Sequence, residues 1–292
     1  MDGVIVVDKP SEWTSHDVVN KMRRWAGTRK VGHLGTLDPA ATGVLPLVIG
    51  RATRLAQFYT KNDKIYEGVV HFGYSTDSYD GDGAPTSASQ DVALTADQLE
   101  PLLARFRGRI SQMPPAVSAK KIAGRPAYEL ARKNLPVELK AVDVEIYALD
   151  LLGTEGCEAR LRVHCGSGTY IRSIAHDLGQ ALGCGAFLKS LRRTMSGDFS
   201  ITEARTLDEI ERLSAEGRFA EAVIPAARLL PEFPLVPVDD TTLAQIRNGR
   251  EFRSSPFSGI TARHVKAVNS AGELVAIGEA RMPNLYHPVL VL

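Results

Sequence analysis

The chain has 292 residues, of which 44% are hydrophobic, so it is long enough for one large domain with a sizeable core and a second, smaller one. Its formal net charge of +1 gives no global sign of a polyanionic partner. Apolar runs stay far below the roughly 18 residues of a membrane-spanning helix, and the first of them, "GVIVV", lies between Asp2 and Asp8. We therefore expect a cytoplasmic protein without a membrane segment.

Cysteine and histidine patterns give no sign of a disulfide framework or a metal site. The cysteines, Cys157, Cys165 and Cys184, are odd in number and form no C-x-x-C pair, which favours buried free thiols. The seven histidines lack the spacing of metal ligands. Walker A, H-E-x-x-H, G-x-S-x-G and G-x-G-x-x-G motifs are also absent. The remaining candidates for chemistry are carboxylate, tyrosine and arginine side chains.

The N-terminal segment has the pattern of a strand followed by a helix. The stretch "GVIVVDKP" is rich in β-branched residues and ends in a turn, which predicts a strand. The next stretch, "SHDVVNKMRRWAG", has the apolar spacing of an amphipathic helix. We expect Ser15 or Asp17 to cap its N-terminus and Gly27 to end it.

One carboxylate, Asp38, follows in a stretch that is otherwise almost uncharged, "VGHLGTLDPAATGVLPLVIG". Two interpretations stay open from these residues alone. One is that Asp38 caps a helix or a turn, since aspartate followed by proline is typical of an N-cap with proline at the first helical position. A single acid placed in a loop of small residues can also do chemistry.

Further along the chain, three stretches alternate like strands: "IYEGVVHFGYSTD", "VDVEIYALDLLGTE" and "CEARLRVHCGSG". The stretch "YIRSIAHDLGQALG" has helical spacing, and Gly183 stands where that helix would end. These elements predict an α/β (α+β) domain in which helices flank a mixed, largely antiparallel sheet.

Residues 110–137 interrupt this pattern with prolines, a glycine and many bases. We expect a long surface excursion that carries a short helix. Charge is uneven in the same region: residues 62–100 hold eight acids and one base, whereas residues 101–142 hold nine bases and two acids, a net charge of +7. The bases form either a phosphate-facing stripe or a solvated surface, and both interpretations stay open.

The end of the chain is typical of a separate small β unit. Four prolines in "PAARLLPEFPLVP" indicate a domain junction, which we place near Phe233. Two alternating runs surround an Asn-Ser-Ala-Gly turn in "HVKAVNSAGELVAIGEA", and "HPVLVL" supplies another strand. We predict one domain at 1–232 and a small β-barrel at 233–292.

The chain resembles the bacterial tRNA pseudouridine synthases of the TruB type from end to end. Six ordered motifs carry the resemblance: "GVIVVDKPSEWTSHDVV", "GHLGTLDPAATGVLPL", "YEGVVHFGYSTDSYDGDG", "QMPPAVSAKKIAGRPAYELAR", "GTYIRSIAHDLG" and "LRRTMSG". The resemblance implies a stand-alone, monomeric enzyme that converts uridine 55 in the T loop of tRNA. It further implies that the tail is a PUA-like RNA-binding domain and that residues 110–137 grip RNA.

The same resemblance implies roles for particular residues. Asp38 falls on the catalytic aspartate of the family, Tyr66 on the tyrosine that stacks against the target base, and Arg172 on the arginine that pairs with the aspartate. The remaining positions are expected to bind substrate, and they are His33, Tyr170, Leu191, Lys9, Lys120, Lys121 and Arg125.

Uridine isomerisation breaks the bond between N1 and C1′, rotates the uracil and rebonds it through C5, so we expect no cofactor and no metal. The carboxylate either attacks C1′ or C6 as a nucleophile or removes the 2′ proton to give a glycal, and the sequence does not choose among these routes. Two other functions stay open. One is an RNA-binding or tRNA-folding module in which catalysis is incidental, and the other is a guide-dependent synthase within a ribonucleoprotein.

Overall fold

The computed structural model of the protein describes residues 1–115 and 140–292, together with the backbone of two short strands at 121–122 and 125–126. The described residues of the chain up to Pro225 supply twelve strands. They are β1 (Gly3–Lys9), β2 (Val31–His33), β3 (Thr42–Ile49), β4 (Lys64–Phe72), β5 (Gly108–Gln112), β6 (Lys121–Ile122), β7 (Arg125–Pro126), β8 (Val142–Glu155), β9 (Glu158–Cys165), β10 (Ala186–Ser196), β11 (Phe199–Ser200) and β12 (Ile224–Pro225).

Ten of these strands form one sheet with the order β12-β1-β3-β10-β4-β9-β8-β5, while β2 pairs with β3 and β11 with β10. The strands β3 and β10 run parallel where Arg192 and Arg193 face Thr42 and Gly43. The other pairings in this sheet are antiparallel, for example β1 with β3 and β4 with β9. The predicted mixed, largely antiparallel sheet is thus confirmed.

Helices lie between the strands at α1 (Ser15–Trp25), α2 (Ala96–Ala104), α3 (Ile171–Leu182), α4 (Leu207–Ala215) and α5 (Asp240–Arg247), and a 3-10 helix spans Gly50–Phe58. The predicted end of α3 is confirmed, because Gly183 takes the left-handed conformation with φ of 75°. The predicted cap of α1 was wrong. Thr14 is the N-cap, and its side chain and that of Asp17 form a reciprocal capping box.

Strand β1 is buried on both faces, which explains its continuous run of β-branched residues. Ile5 and Val7 belong to the core that contains α1 and α3, whereas Val4 and Val6 belong to a second core on the other side. That second core includes Leu274 from the tail. The tail therefore packs directly on the large sheet, where each fully buried aliphatic side chain contributes about 1.5–3 kcal/mol.

The tail forms a five-stranded sheet in the order β13-β15-β16-β17-β14. Its strands are β13 (Leu235–Pro237), β14 (Phe252–Arg253), β15 (His264–Val268), β16 (Leu274–Met282) and β17 (Leu285–Val291). The predicted hairpin is confirmed, since β15 and β16 pair antiparallel around the turn at 269–273. The sheet order is an open path, and the PUA-like barrel stays a prediction.

Among the described residues, none of the helices combines the length and apolar character needed to cross a membrane. The cysteines there are free thiols, of which Cys165 and Cys184 are buried and Cys157 is partly exposed.

Candidate active site

A cavity of about 460 Å³ lies between residues 33–38, strands β4 and β10, and the segment that leads into α3. Its volume falls in the range of ~300–1,000 Å³ that is typical of sites for small organic groups. It brings together six of the residues predicted from the sequence, namely His33, Asp38, Tyr66, Tyr170, Arg172 and Leu191. Residues that are far apart in the chain thus share one concave surface.

At this cavity Asp38 and Arg172 form an ion pair. The Nε atom of Arg172 lies 3.0 Å from Oδ2 of Asp38, and the arginine side chain is 7% exposed whereas the aspartate side chain is 47% exposed. A buried guanidinium therefore holds a carboxylate that still faces the cavity. Of the two elements that Asp38 was expected to cap, a helix or a turn, the structure has the turn: no helix begins after Asp38, and its carbonyl accepts a hydrogen bond from the N–H of Ala41.

A second loop fixes the other side of the Arg172 guanidinium. The Nη1 atom donates to the carbonyl oxygen of Ser78 at 3.2 Å and to Oδ2 of Asp80 at 3.3 Å. We call residues 34–41 the Asp38 loop and residues 73–87 the Asp80 loop. Each of the two loops thus places a carboxylate on Arg172, and their contacts set the plane of the guanidinium.

Lys9 is hydrogen-bonded to the Asp38 loop through the carbonyl of Pro39. Its side chain is fully buried, and Nζ donates to the carbonyl oxygens of Pro10, Trp13 and Pro39 at 2.7–2.9 Å. Burial lowers the pKa of Lys9 to about 8, although the Asp38 carboxylate acts in the opposite direction. In this structure the ammonium already has three acceptors and no access to solvent, so Lys9 supports the loop, and its predicted contact with substrate stays a prediction.

Arg193 holds the same loop from the sheet. It is 1% exposed, and its guanidinium donates to the carbonyl oxygens of Val44, Thr36 and Gly35 at 2.8–3.3 Å. Ser15 also holds this loop, because its Oγ donates to the carbonyl of Leu37 and accepts a hydrogen bond from the N–H of Leu37. Backbone groups of a loop without regular structure are thereby paired.

Tyr66 lies on β4 and is 8% exposed, with its ring on the wall of the cavity. Burial raises the pKa of this phenol, and the nearby positive charge of Arg193 opposes that rise. The hydroxyl is therefore protonated at neutral pH and can donate a hydrogen bond.

His33 stands at the entrance of the Asp38 loop and lines the cavity. Burial and the charge of Arg193 lower its pKa, so the ring is neutral at pH 7. The N–H of Gly35 donates to Nδ1 of this ring at 3.3 Å, which leaves the ring proton on Nε2. Burial also lowers the pKa of Lys64, which lines the same cavity.

The side chains of three residues predicted to bind substrate lie outside the part of the chain that the structure describes. Lys120 lies outside the described residues, and so do the side chains of Lys121 and Arg125. The helix-bearing surface excursion predicted for residues 110–137 falls largely on the same part of the chain, but its first three residues belong to strand β5 (Gly108–Gln112), which pairs with β8.

Sequence reasoning missed Arg193, Ser15, Asp80 and Tyr59. Arg193 and Asp80 both stand inside motifs quoted above, but no spacing rule marks them as neighbours of Arg172 or of the Asp38 loop. Tyr59 lines the cavity and accepts a hydrogen bond from the N–H of Leu230, and burial raises its pKa.

No group of three or more His, Cys, Asp or Glu side chains within residues 1–115 and 140–292 is arranged to hold a metal ion. The described cavity instead presents a carboxylate, a guanidinium and a phenol. This set can position an electron-poor ring, supply an anionic nucleophile or base and donate a proton.

Two family models match the chain in succession. The model described as TruB family pseudouridylate synthase, N-terminal domain, matches residues 23–171, and the tRNA pseudouridylate synthase B C-terminal domain matches residues 172–232. The cavity and the residues that line it lie within these two matches.

Similar proteins carry names of the same kind. The tRNA pseudouridine synthase B of Solibacter usitatus (strain Ellin6076) is 64% identical over the full length of both chains. That of Dechloromonas aromatica (strain RCB) is 42% identical and covers 99% of this chain and 94% of its own.

Solved structures also match along nearly the whole chain. A chain in the structure of an H/ACA RNP bound to a substrate RNA containing 2′-deoxyuridine is 27% identical, with a TM-score of 0.72, and the match covers 99% of this chain and 84% of that one. A chain in a Cbf5-Nop10-Gar1 complex is 29% identical, with a TM-score of 0.69, and the match covers 97% of this chain and 79% of that one.

Proposed function

The chain belongs to the TruB family of pseudouridylate synthases, and from that premise we propose that it converts uridine 55 in the T loop of tRNA to pseudouridine. One observation carries the assignment of the catalytic group. Asp38 presents its carboxylate to a cavity of about 460 Å³ while the buried Arg172 holds it at 3.0 Å. We assign Asp38 as the catalytic carboxylate and Arg172 as the residue that orients it.

The reaction conserves all atoms of the nucleotide. The bond between C1′ and N1 breaks, the uracil turns, and C5 bonds to C1′. C5 then loses its proton, and N1 gains one. Asp38 starts this sequence either by attack on C1′ or C6 or by removal of the 2′ proton. Because no oxidation state changes and no energy input is required, we propose that the enzyme uses no cofactor.

The walls of the cavity suit a base that has been turned out of the RNA stack. Tyr66 offers a flat face, and stacking of a base on an aromatic ring is worth about 1–3 kcal/mol. We propose that its hydroxyl assists proton transfer at C5. We propose that Tyr170 and Leu191 complete the walls and that the neutral ring of His33 contacts the T loop at the entrance.

We propose that the enzyme acts alone, as a monomer in the cytoplasm, on the T arm of tRNA. The names of the bacterial relatives support tRNA as the substrate, although the two structural neighbours come from a Cbf5-Nop10-Gar1 complex and from an H/ACA RNP bound to a substrate RNA. Residues 233–292 would then add affinity as a PUA-like RNA-binding domain, with Arg247, Arg250 and Arg263 among its bases.

The substitution Asp38→Asn tests the proposal directly. Asparagine keeps the volume of the side chain but cannot attack carbon or accept the 2′ proton at a useful rate. We expect pseudouridine formation to fall to background while tRNA affinity and thermal stability stay close to wild type. The assay is tritium release from unmodified tRNA labelled at uridine C5, without guide RNA, combined with filter binding and a melting curve.

Two controls separate the parts of the proposal. Asp91→Asn changes an exposed aspartate outside the cavity and should leave activity unchanged. A tRNA with cytidine at position 55 should release no tritium from the T loop.

Turnover by Asp38→Asn would remove Asp38 from the mechanism, and modification of another uridine would remove the T-loop assignment. A persistent need for guide RNA would favour the ribonucleoprotein alternative, and tRNA binding without turnover by the wild type would favour the RNA-binding module.

A further inference from the structure

A stacked pair of rings lies next to the Arg172 network but outside the cavity. The rings of Tyr79 and His176 have centroids 3.8 Å apart and planes inclined by 14°. Tyr79 belongs to the Asp80 loop, and His176 belongs to helix α3. The stack therefore joins the same two elements that the contacts between Arg172 and Asp80 join.

The positions of the two rings within their elements are informative. His176 follows Arg172 by four residues, so the two side chains leave the same face of α3. Tyr79 stands between Ser78 and Asp80, whose oxygen atoms both accept hydrogen bonds from Nη1 of Arg172. A shift of Tyr79 relative to α3 would move both acceptors at once.

The backbone of Tyr79 is held in an unfavourable conformation. Its φ is +64°, in the left-handed region that a bulky side chain rarely adopts. Backbone hydrogen bonds tie this part of the loop to β10, because Leu188 donates to the carbonyl of Tyr79 and Gly81 donates to the carbonyl of Leu188. The side chain of Tyr79 makes the connection to α3 instead.

His176 contributes to the stack through its ring face. Burial lowers its pKa, which favours the neutral imidazole. Its Nδ1 is buried and has no hydrogen-bond partner among the described residues. A neutral ring without a polar partner at Nδ1 acts here as a flat aromatic surface, so phenylalanine is a suitable replacement.

We infer that Tyr79 and His176 are positioning residues for the isomerisation. Their stack locks the Asp80 loop onto α3, so that Ser78 and Asp80 hold Nη1 of Arg172 and direct its Nε to Asp38. This inference rests on the proposed catalytic role of Asp38. Without the stack, the guanidinium gains freedom to rotate, and the carboxylate loses its fixed orientation, while the RNA-binding surface is unaffected.

Four single variants and one double variant test this inference. Tyr79→Gly removes the ring and suits the left-handed backbone, so it spares the fold, and Tyr79→Phe keeps the ring. His176→Ala and His176→Phe form the matching pair on the helix. For each variant, kcat and KM for unmodified tRNA, the tRNA dissociation constant and the melting temperature are measured, with all rates taken well below the lowest melting temperature.

We expect Tyr79→Gly and His176→Ala to lower kcat about tenfold or more, while the tRNA dissociation constant changes by less than about twofold. The two phenylalanine variants should stay within about twofold of wild type. Because the rings act as a unit, the double variant Tyr79→Gly with His176→Ala should be no slower than the slower single variant.

Three results would overturn the inference: a wild-type kcat in Tyr79→Gly, an equal loss in Tyr79→Phe and Tyr79→Gly, or fully additive losses in the double variant. The proposed function is judged separately, by activity of the wild type and its absence in Asp38→Asn. A failure of the stack is therefore distinguishable from a failure of the catalytic assignment.

Discussion

The Asp38 loop and the Asp80 loop each bring a carboxylate to Arg172, but different parts of the chain hold them in place. In the Asp38 loop, carbonyl oxygens accept hydrogen bonds from side chains on other elements. The buried donors are Lys9 on β1, Ser15 on α1 and Arg193 on β10, and the exposed Ser11 donates to the carbonyl of Ala40. The loop itself consists mostly of small or apolar residues, which offer few side-chain partners of their own.

The Asp80 loop is held largely by its own polar residues. Thr76 Oγ1 donates to the carbonyl of Asp80, Ser78 Oγ donates to Oδ1 of Asp80, and the N–H of Asp82 donates to the same oxygen. Asp77 accepts from the N–H of Ala84. Short-range bonds of this kind are typical of loops rich in Asp, Ser and Thr.

This difference predicts how sensitive each loop is to substitution. A loop that is held by a few buried donors loses several pairings when one donor is removed, and its carbonyls are then buried without partners. A loop that is held by many local hydrogen bonds loses only one of several such bonds when one donor is removed. The carboxylate that we propose as catalytic lies on the first kind of loop, so we expect distant buried residues to control activity.

The largest effect is expected for Arg193→Met. Methionine fills much of the space but donates no hydrogen bond, so the carbonyls of Gly35, Thr36 and Val44 lose their donor. We expect a loss of about 3 kcal/mol or more in the free energy of unfolding, since each buried group without a partner costs roughly 1–3 kcal/mol. Because the Asp38 loop also shifts, kcat should fall about 100-fold.

Arg192→Met is the matched control for this variant. Arg192 is the neighbouring residue on β10, and its side chain is 42% exposed and pairs with Asp8. This pair is partly exposed to solvent, so its loss should cost about 1 kcal/mol, well below the loss expected for Arg193→Met. Urea unfolding and kcat decide the question, and equal losses in the two variants would contradict the special role of the buried arginine.

An intermediate effect is expected for Ser15→Ala, compared with Ser78→Ala. The first change leaves both backbone groups of Leu37 without their partner in a buried place, at a cost of about 1–3 kcal/mol. The second removes one donor from Asp80, which keeps its bond from Asp82, so the cost should stay below about 1 kcal/mol.

Urea unfolding curves of these two serine variants compare the same chemical change in the two loops. Because Leu37 precedes Asp38, Ser15→Ala should also lower kcat more than Ser78→Ala does. If Ser78→Ala proves the more damaging of the two, the distinction between the loops fails.

The smallest effect concerns the pH dependence of stability through Lys9. Its pKa is about 8 in the folded protein and 10.5 at its ordinary value, so between these limits the unfolded chain binds more protons than the folded one. The free energy of unfolding therefore rises with pH in this window. This contribution is complete above pH 10.5 and is lost as pH falls through about 8.

The measurement is the difference in stability between wild type and Lys9→Met at pH 8 and pH 9. We expect this difference to shift in favour of the wild type by about 1 kcal/mol. A constant difference would mean that Lys9 keeps its proton throughout, with its three carbonyl acceptors outweighing the effect of burial.

Local sequence patterns were sufficient for most of the regular structure. The strand at Gly3–Lys9, the helix at Ile171–Leu182 with its end at Gly183 and the hairpin in the tail all follow from apolar periodicity and turn residues. The cap of α1 was missed because Thr14 precedes the polar residues that looked like the start of the helix.

The sequence by itself determined the family resemblance and, through it, the proposed roles of Asp38, Tyr66 and Arg172. The periodicity of apolar residues along the chain predicted which stretches are strands and which are helices, because it marks the face of each element that is buried. Neither signal reports which residues of distant elements touch. No sequence signal marked Arg193, and Lys9 was expected to bind substrate, yet folding buries both and directs them at backbone carbonyls of one loop. Tertiary structure alone decided these contacts, since sheet register and packing fix the distances between segments that share no local pattern.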